Sequence, residues 1–189
     1  EASNLITVKH LLFASTSSVY GESYKFPINE IDSTDKPLSF YAASKKSNEV
    51  MAYAYSNIFK LPITGMRFFT VYGEFGRPDM ALFKFTRAIL AGNKLLLNNS
   101  GNHIRDWTHI DDVVVSIEKL VLKKSSNKIP YDIFNICGSQ PENLKSFLGI
   151  IETNLEKKAN IKNMPIQDGD VYKTFGDSNK LQKKINFVP

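Results

Sequence analysis

The 189-residue sequence is 42% apolar, 12% aromatic and 23% charged, with a net charge of +5; this is ordinary globular composition with chain enough for a sizeable core. No apolar run approaches the ~20 residues of a membrane-spanning helix, and the opening EASNLITVKH lacks the apolar centre of a signal peptide. The lysines fall in scattered pairs without interleaved aromatics, which argues against nucleic acid, while the single cysteine, Cys137, excludes an intrachain disulfide and fits a reducing, cytoplasmic setting.

In chain order, the first element is an apolar run ending in hydroxyls, HLLFAS, predicted as a strand over 10–15 and followed by Thr16, Ser17 and Ser18. A helical pattern covers 39–59, and a second strand, ITGMRFF, spans 63–69. The loop 70–79 leads to a helix over 79–91, stopped by Gly92. KLLLNN (94–99) reads as a strand and 99–109 as a loop. A helix over 110–124 follows, with Asp111 and Asp112 at its positive end. The strand 131–137, helix 143–158, strand 160–166 and a helix over 178–184, capped by Asp177 or Ser178, complete the chain. Alternating strands and helices predict an α/β fold with a largely parallel sheet. In a doubly wound sheet of that kind the strand C-termini carry the ligand site, which points to Ser15–Ser18 and to the stretch after Thr70.

Tyr41 and Lys45 lie four residues apart on the first helix, hence on one face and ~6 Å apart in rise. An ammonium so placed favours a phenolate, and a tyrosine tuned this way can take a proton from an alcohol while hydride leaves the same carbon. A hydroxyl from Thr16, Ser17 or Ser18 can bind that alcohol oxygen. One Tyr-x-x-x-Lys pair is what chance supplies at this composition, so the weight rests on its surroundings. The three histidines, His10, His103 and His109, have no metal-like spacing with Cys137, and no metal site is expected. Trp107 and Phe68–Phe69 read as packing residues.

Four blocks in order, FASTSSVYG, YAASKKSNE, RFFTVYG and RDWTHIDDVV, resemble the extended short-chain dehydrogenase/reductase family of nucleotide-sugar epimerases and dehydratases. The resemblance covers nearly the whole chain. It implies a Rossmann-like fold, a bound NAD that removes hydride from a sugar and returns it to the other face of a ketone, and a UDP-sugar substrate. It makes Tyr41 the acid/base, Lys45 the ligand of the nicotinamide ribose, and Thr16 the hydroxyl partner. Ala14, Ser15, Tyr41, Lys45 and Phe68 become cofactor contacts, with Ser17 and Ser18 lining the sugar pocket.

Dehydratases resembling this chain carry an Asp-Glu pair where Ser17 and Ser18 stand, and decarboxylating relatives a glutamate at Ser18, so epimerisation is the implied chemistry. The stretch TVYGEFGRPDMALFKFTRAILAG is similar to UDP-glucuronate 4-epimerases, including Thr70. Arg77 there suits a hexuronate carboxylate bidentately; its other reading is a loop arginine holding Asp79 or Glu74. Arg105 matches the arginine that clamps the UDP diphosphate, or else pairs with Asp106. Gln167 and Asp170 resemble the segment contacting the nucleotide ribose, and Met80 is placed near the uracil.

The implied division is 1–77 with about 105–137 as the NAD-binding part, and about 78–104 with 138–189 as the nucleotide-sugar part. None of the ten glycines forms a G-x-G-x-x-G cradle, so the resemblance implies that on the order of 100 residues of β–α units precede this stretch. A chain lacking them is expected to be inactive and to cover its exposed sheet edge by self-association, as a homodimer or otherwise. Two other readings stay open: a non-catalytic UDP-sugar-binding remnant, and a 4-epimerase of neutral or N-acetylated UDP-hexoses.

Overall fold

The computed structural model describes residues 8–189. Its central sheet joins β1 (Leu11–Thr16), β2 (Ile63–Phe68) and β6 (Tyr131–Ile136) in the order β1-β2-β6, all parallel. The register pairs Ser15 with Arg67 and Arg67 with Asn135, and the next row pairs Thr16, Phe68 and Ile136. Helix α1 (Phe40–Phe59) crosses from β1 to β2. Ser39 caps it, its Oγ accepting from the Ala42 amide at 3.2 Å, and Lys60 ends it in the left-handed conformation.

A second sheet has the order β3 (Thr70–Tyr72), β5 (Ile104–His109), β7 (Pro141–Asn143), with β5–β7 antiparallel. A third pairs β4 (Lys94–Asn98) with β8 (Asn160–Met164). The other helices are α2 (Ala81–Ala91), α3 (Ile110–Val121), α4 (Leu144–Leu155) and α5 (Asn179–Ile185). Gly92 terminates α2 in the left-handed conformation, and Asp111 and Asp112 occupy the first turn of α3, as the sequence predicts.

Two expectations fail here. The segments 70–72 and 104–109 are strands, where the sequence reads loops, and β7 adds a strand not foreseen. β5 escapes an apolar pattern because its buried positions, Asp106 and Thr108, are polar. Each is tied to backbone: Asp106 Oδ2 accepts from the Gly176 amide at 2.9 Å, and Thr108 Oγ1 from Gly138 at 3.1 Å, while Asp106 Oδ1 is buried without a hydrogen-bond partner.

Apolar packing separates into two main cores. Met66, Phe134 and Ile136 of the central sheet meet Val113 and Leu120 of α3 and Leu181 and Ile185 of α5. Phe85 and Ile89 of α2 meet Leu95, Leu97, Leu148 and Ile151 in the other. α5 therefore packs with the central sheet although it ends the span 138–189. The segment 167–177 runs back along β5, with Ile104 donating to Tyr172 O and accepting from the Thr174 amide, both at 3.0 Å. That path sets Asp170 beside Arg105.

Candidate active site

At the end of β1 the chain turns sharply through a 3-10 turn, Ser17–Tyr20, capped by Thr16, whose Oγ1 accepts from the Ser18 amide at 3.2 Å. Thr16 Oγ1 also lies 3.2 Å from Ser18 Oγ, to which it donates. Gly21 closes the turn at φ +62°, where a Cβ would stand 2.3 Å from the Lys36 carbonyl oxygen, so only glycine fits. The four-hydroxyl cluster is thus a built turn at a parallel strand end.

A cavity of about 560 Å³ opens in front of this turn, bordered by Thr16, Ser17, Ser18, Tyr41 and Lys45. Ala14, Ser15 and Phe68 also border it, as do Thr70, Arg77 and Met80. Lys45 Nζ donates to the Ala14 carbonyl at 3.0 Å and stands 6.0 Å from the centroid of the Tyr41 ring. Tyr41 is 53% exposed, open to a ligand. Ser15 differs from its neighbours, because its hydroxyl donates to Glu49 Oε1 at 2.6 Å behind the strand and is not offered to the cavity.

Arg77 is exposed and its guanidinium engages Asp79, with Nε donating to Oδ1 at 3.0 Å and Nη2 to Oδ2. This ion pair, one of the two loop partners anticipated, holds the Asp79 carboxyl below its ordinary range. A carboxylate entering the cavity would compete for the same fork of donors.

A smaller cavity, about 160 Å³, shares Ser17, Ser18 and Thr70 with the first and continues to Arg105 and Asp170. Arg105 Nη2 donates to Asp170 Oδ1 at 2.7 Å, and its Nη1 to the Tyr172 carbonyl at 3.2 Å. Its partner is therefore Asp170 rather than the neighbouring Asp106. Burial pulls the Arg105 pKa down, and Asp170 opposes it. His103 Nε2 lies 3.3 Å from Asp170 Oδ2 without hydrogen-bond geometry; burial and then Arg105 lower its pKa, and Asp170 opposes them. Gln167 borders neither cavity; its carbonyl accepts from the Asp170 amide at 3.1 Å and helps to turn that loop. Trp107 stacks on Phe147 at 4.1 Å, and Phe69 packs with Val19 and Cys137.

A buried polar row, not among the residues expected from the sequence, lies directly behind the site. Arg67 Nε and Nη2 donate to Glu49 Oε1 and Oε2 at 2.9 and 2.8 Å, and Nη1 donates to the Tyr20 hydroxyl at 2.8 Å. Tyr20 in turn donates to Asn135 Oδ1 at 2.6 Å. Burial would raise the Glu49 pKa, but the Arg67 and Ser15 hydrogen bonds outweigh it and hold the carboxyl below its ordinary value. The signal was present: an arginine inside the apolar run TGMRFF requires a buried carboxylate, and Glu49 sits one helical turn beyond Lys45.

The description of the NAD dependent epimerase/dehydratase family matches residues 1–137. Protein CapI of Staphylococcus aureus is 44% identical over all of this chain, and a probable UDP-glucuronate 4-epimerase of Rhizobium meliloti is 41% identical, also over all of it. Among solved structures, the UDP-glucuronic acid 4-epimerase of Bacillus cereus, in complex with UDP-glucuronic acid and NAD, superposes with a TM-score of 0.92 at 29% identity over the whole chain. The chain spans 61%, 60% and 59% of the lengths of these three proteins.

Proposed function

The chain belongs to the NAD-dependent epimerase/dehydratase family, and from that premise we propose that the protein epimerises a UDP-hexuronate at C4, interconverting UDP-glucuronate and UDP-galacturonate. The observation that carries this reading is one cavity bordered by Thr16, Tyr41 and Lys45 and also by Thr70 and Arg77. On this reading Tyr41 removes the proton of the C4 hydroxyl and later returns it. Thr16 Oγ1, fixed at the turn, orients that oxygen. Lys45 holds positive charge beside the phenol while its contact with Ala14 fixes the ammonium.

Bound NAD would supply the acceptor and donor for the C4 hydride. The residues fit its nicotinamide end: Lys45 offers ammonium protons toward a ribose, and Ala14 and Phe68 give an apolar wall at the strand ends. Residues 1–77 and about 105–137 form the cofactor part on this reading, and the remainder the nucleotide-sugar part. Ser17 and Ser18 supply no acid for dehydration or decarboxylation. Arg105 releases Asp170 to take the diphosphate, freeing that carboxylate for a ribose hydroxyl, with Gln167 shaping the loop and Met80 near the base. Arg77 exchanges Asp79 for the hexuronate carboxylate. The outer face of α1 exposes Phe40, Val50, Met51 and Ile58, which suits self-association; sedimentation of a clean monomer at micromolar concentration would contradict that last point.

The test is turnover by the full-length protein with NAD. UDP-glucuronate should yield UDP-galacturonate, and Arg77→Ala should lower kcat/KM for the uronate ~10- to 100-fold, the loss of a charge-assisted pair, with little effect on UDP-glucose. Turnover of neutral or N-acetylated UDP-hexoses alone would replace the uronate by those substrates. UDP binding without any turnover would leave a nucleotide-sugar-binding module.

A further inference from the structure

The buried row behind the cavity is arranged as a brace. Ser15, Arg67 and Asn135 occupy one register row across β1, β2 and β6, the row before the strand ends. Glu49 enters that row from α1 and joins Ser15 to Arg67. Tyr20, at the end of the turn that Thr16 begins, joins Arg67 to Asn135. Thr16 is thus bracketed in sequence by two residues, Ser15 and Tyr20, that are both tied to the Glu49–Arg67 pair. On the helix side, Tyr41, Lys45 and Glu49 recur every four residues, so the anchor and the two site residues share one face.

Glu49, Arg67 and Tyr20 lie outside the lining of the cavity, and all three are buried. A buried ion pair is a poor means of gaining stability, because desolvation offsets its attraction and apolar replacements often match it. What a bidentate pair supplies in addition is a fixed distance and plane between two backbones. Here those backbones carry Thr16 on one side and Tyr41 and Lys45 on the other.

We propose that Glu49 and Arg67 are positioning residues: their ion pair, through Ser15 and Tyr20, sets the separation of the β1 end from α1 and so the alignment of Thr16 with Tyr41 and Lys45. The role rests on the epimerase reading, since alignment matters only if those three groups react together. A misplacement of about 1 Å at a reacting centre costs on the order of 100-fold in rate.

The test uses the full-length protein with NAD and a UDP-hexose. The double variant Glu49→Gln/Arg67→Met removes both charges together, leaving neither ion unpaired. It should keep its Tm within a few degrees of wild type yet lose ~10- to 100-fold in kcat with KM nearly unchanged. Glu49→Gln alone should lower both Tm and kcat. Wild-type kcat in the folded double variant would overturn the proposal, because a merely stabilising pair predicts that result. If the double variant does not fold, Ser15→Ala decides: it leaves the ion pair intact and should lose several-fold in kcat at unchanged KM with only a modest fall in Tm, and an unchanged kcat overturns the proposal. Absence of turnover in the wild type would defeat the epimerase reading separately. A crystal structure of the variant then judges the brace: the Lys45 Nζ to Ala14 oxygen contact should be lost, and its retention at 3.0 Å would refute positioning.

Discussion

Two rows of the same sheet, one residue apart, solve opposite problems. The row of Ser15, Arg67 and Asn135 is buried, and its side chains are joined through buried protein groups, Glu49 between Ser15 and Arg67 and Tyr20 between Arg67 and Asn135. The row of Thr16 opens on a cavity whose other walls, Tyr41 and Arg77, are largely exposed and tied to few neighbours. Groups that must meet a ligand cannot be saturated with protein partners, so their geometry has to be held from behind. The contrast predicts that orphaning one group of the closed row costs stability, whereas the chemistry is done in the open row that the closed one aligns.

The largest stability effect should come from breaking the closed row on one side only. Glu49→Ala leaves the Arg67 guanidinium buried without its carboxylate and should cost about 3–5 kcal/mol, the usual penalty for orphaning one buried ion, read as a fall in the denaturant midpoint. Tyr20→Phe is milder: it removes one donor to Asn135 and one acceptor from Arg67, for about 1–3 kcal/mol. A loss below 0.5 kcal/mol in either variant would show the row to be less closed than its distances suggest.

Two buried carboxyls should oppose each other in pH dependence. Burial moves the Asp106 pKa from its ordinary 3.8 up to about 6. The folded state then holds a proton that the unfolded chain releases near 4, so stability from this group falls as pH rises through 4 to 6 and is level above. Glu49, held below its ordinary value despite burial, contributes stability above about pH 4.3 that is lost as pH falls through its folded pKa. Asp106→Asn should therefore flatten the decline of Tm between pH 4 and 6 and leave the acid limb in place. At the open end, Arg77→Ala should leave Tm unchanged, since exposed ion pairs add little; a clear drop would mean that Arg77 belongs to the scaffold.

The legibility of the sequence followed the same division. Helix α1 was readable to within a residue because Ser39 caps it and its pattern is continuous. The Thr16 turn and the Tyr41–Lys45 spacing needed only strand-end and helical periodicity. β5 was not readable, because Asp106 and Thr108 face inward and satisfy backbone groups from Gly176 and Gly138, partners distant in sequence. The Glu49–Arg67 pair is half legible: the arginine inside TGMRFF calls for a buried carboxylate, but only the packing of α1 on the sheet shows that Glu49 supplies it. Ser15 borders the cavity as expected from its place at the strand end, but the turn of its hydroxyl to Glu49 is visible only in the fold.

The central claim is that the Tyr41 phenol performs the proton transfer in the cavity it shares with Thr16 and Lys45. Tyr41→Phe removes one exposed oxygen and touches nothing in either core. In the full-length protein supplied with NAD and UDP-glucuronate, it should lower kcat about 10²- to 10⁴-fold, the range for loss of a general acid/base, at unchanged Tm. Turnover by that variant at the wild-type rate would contradict the account.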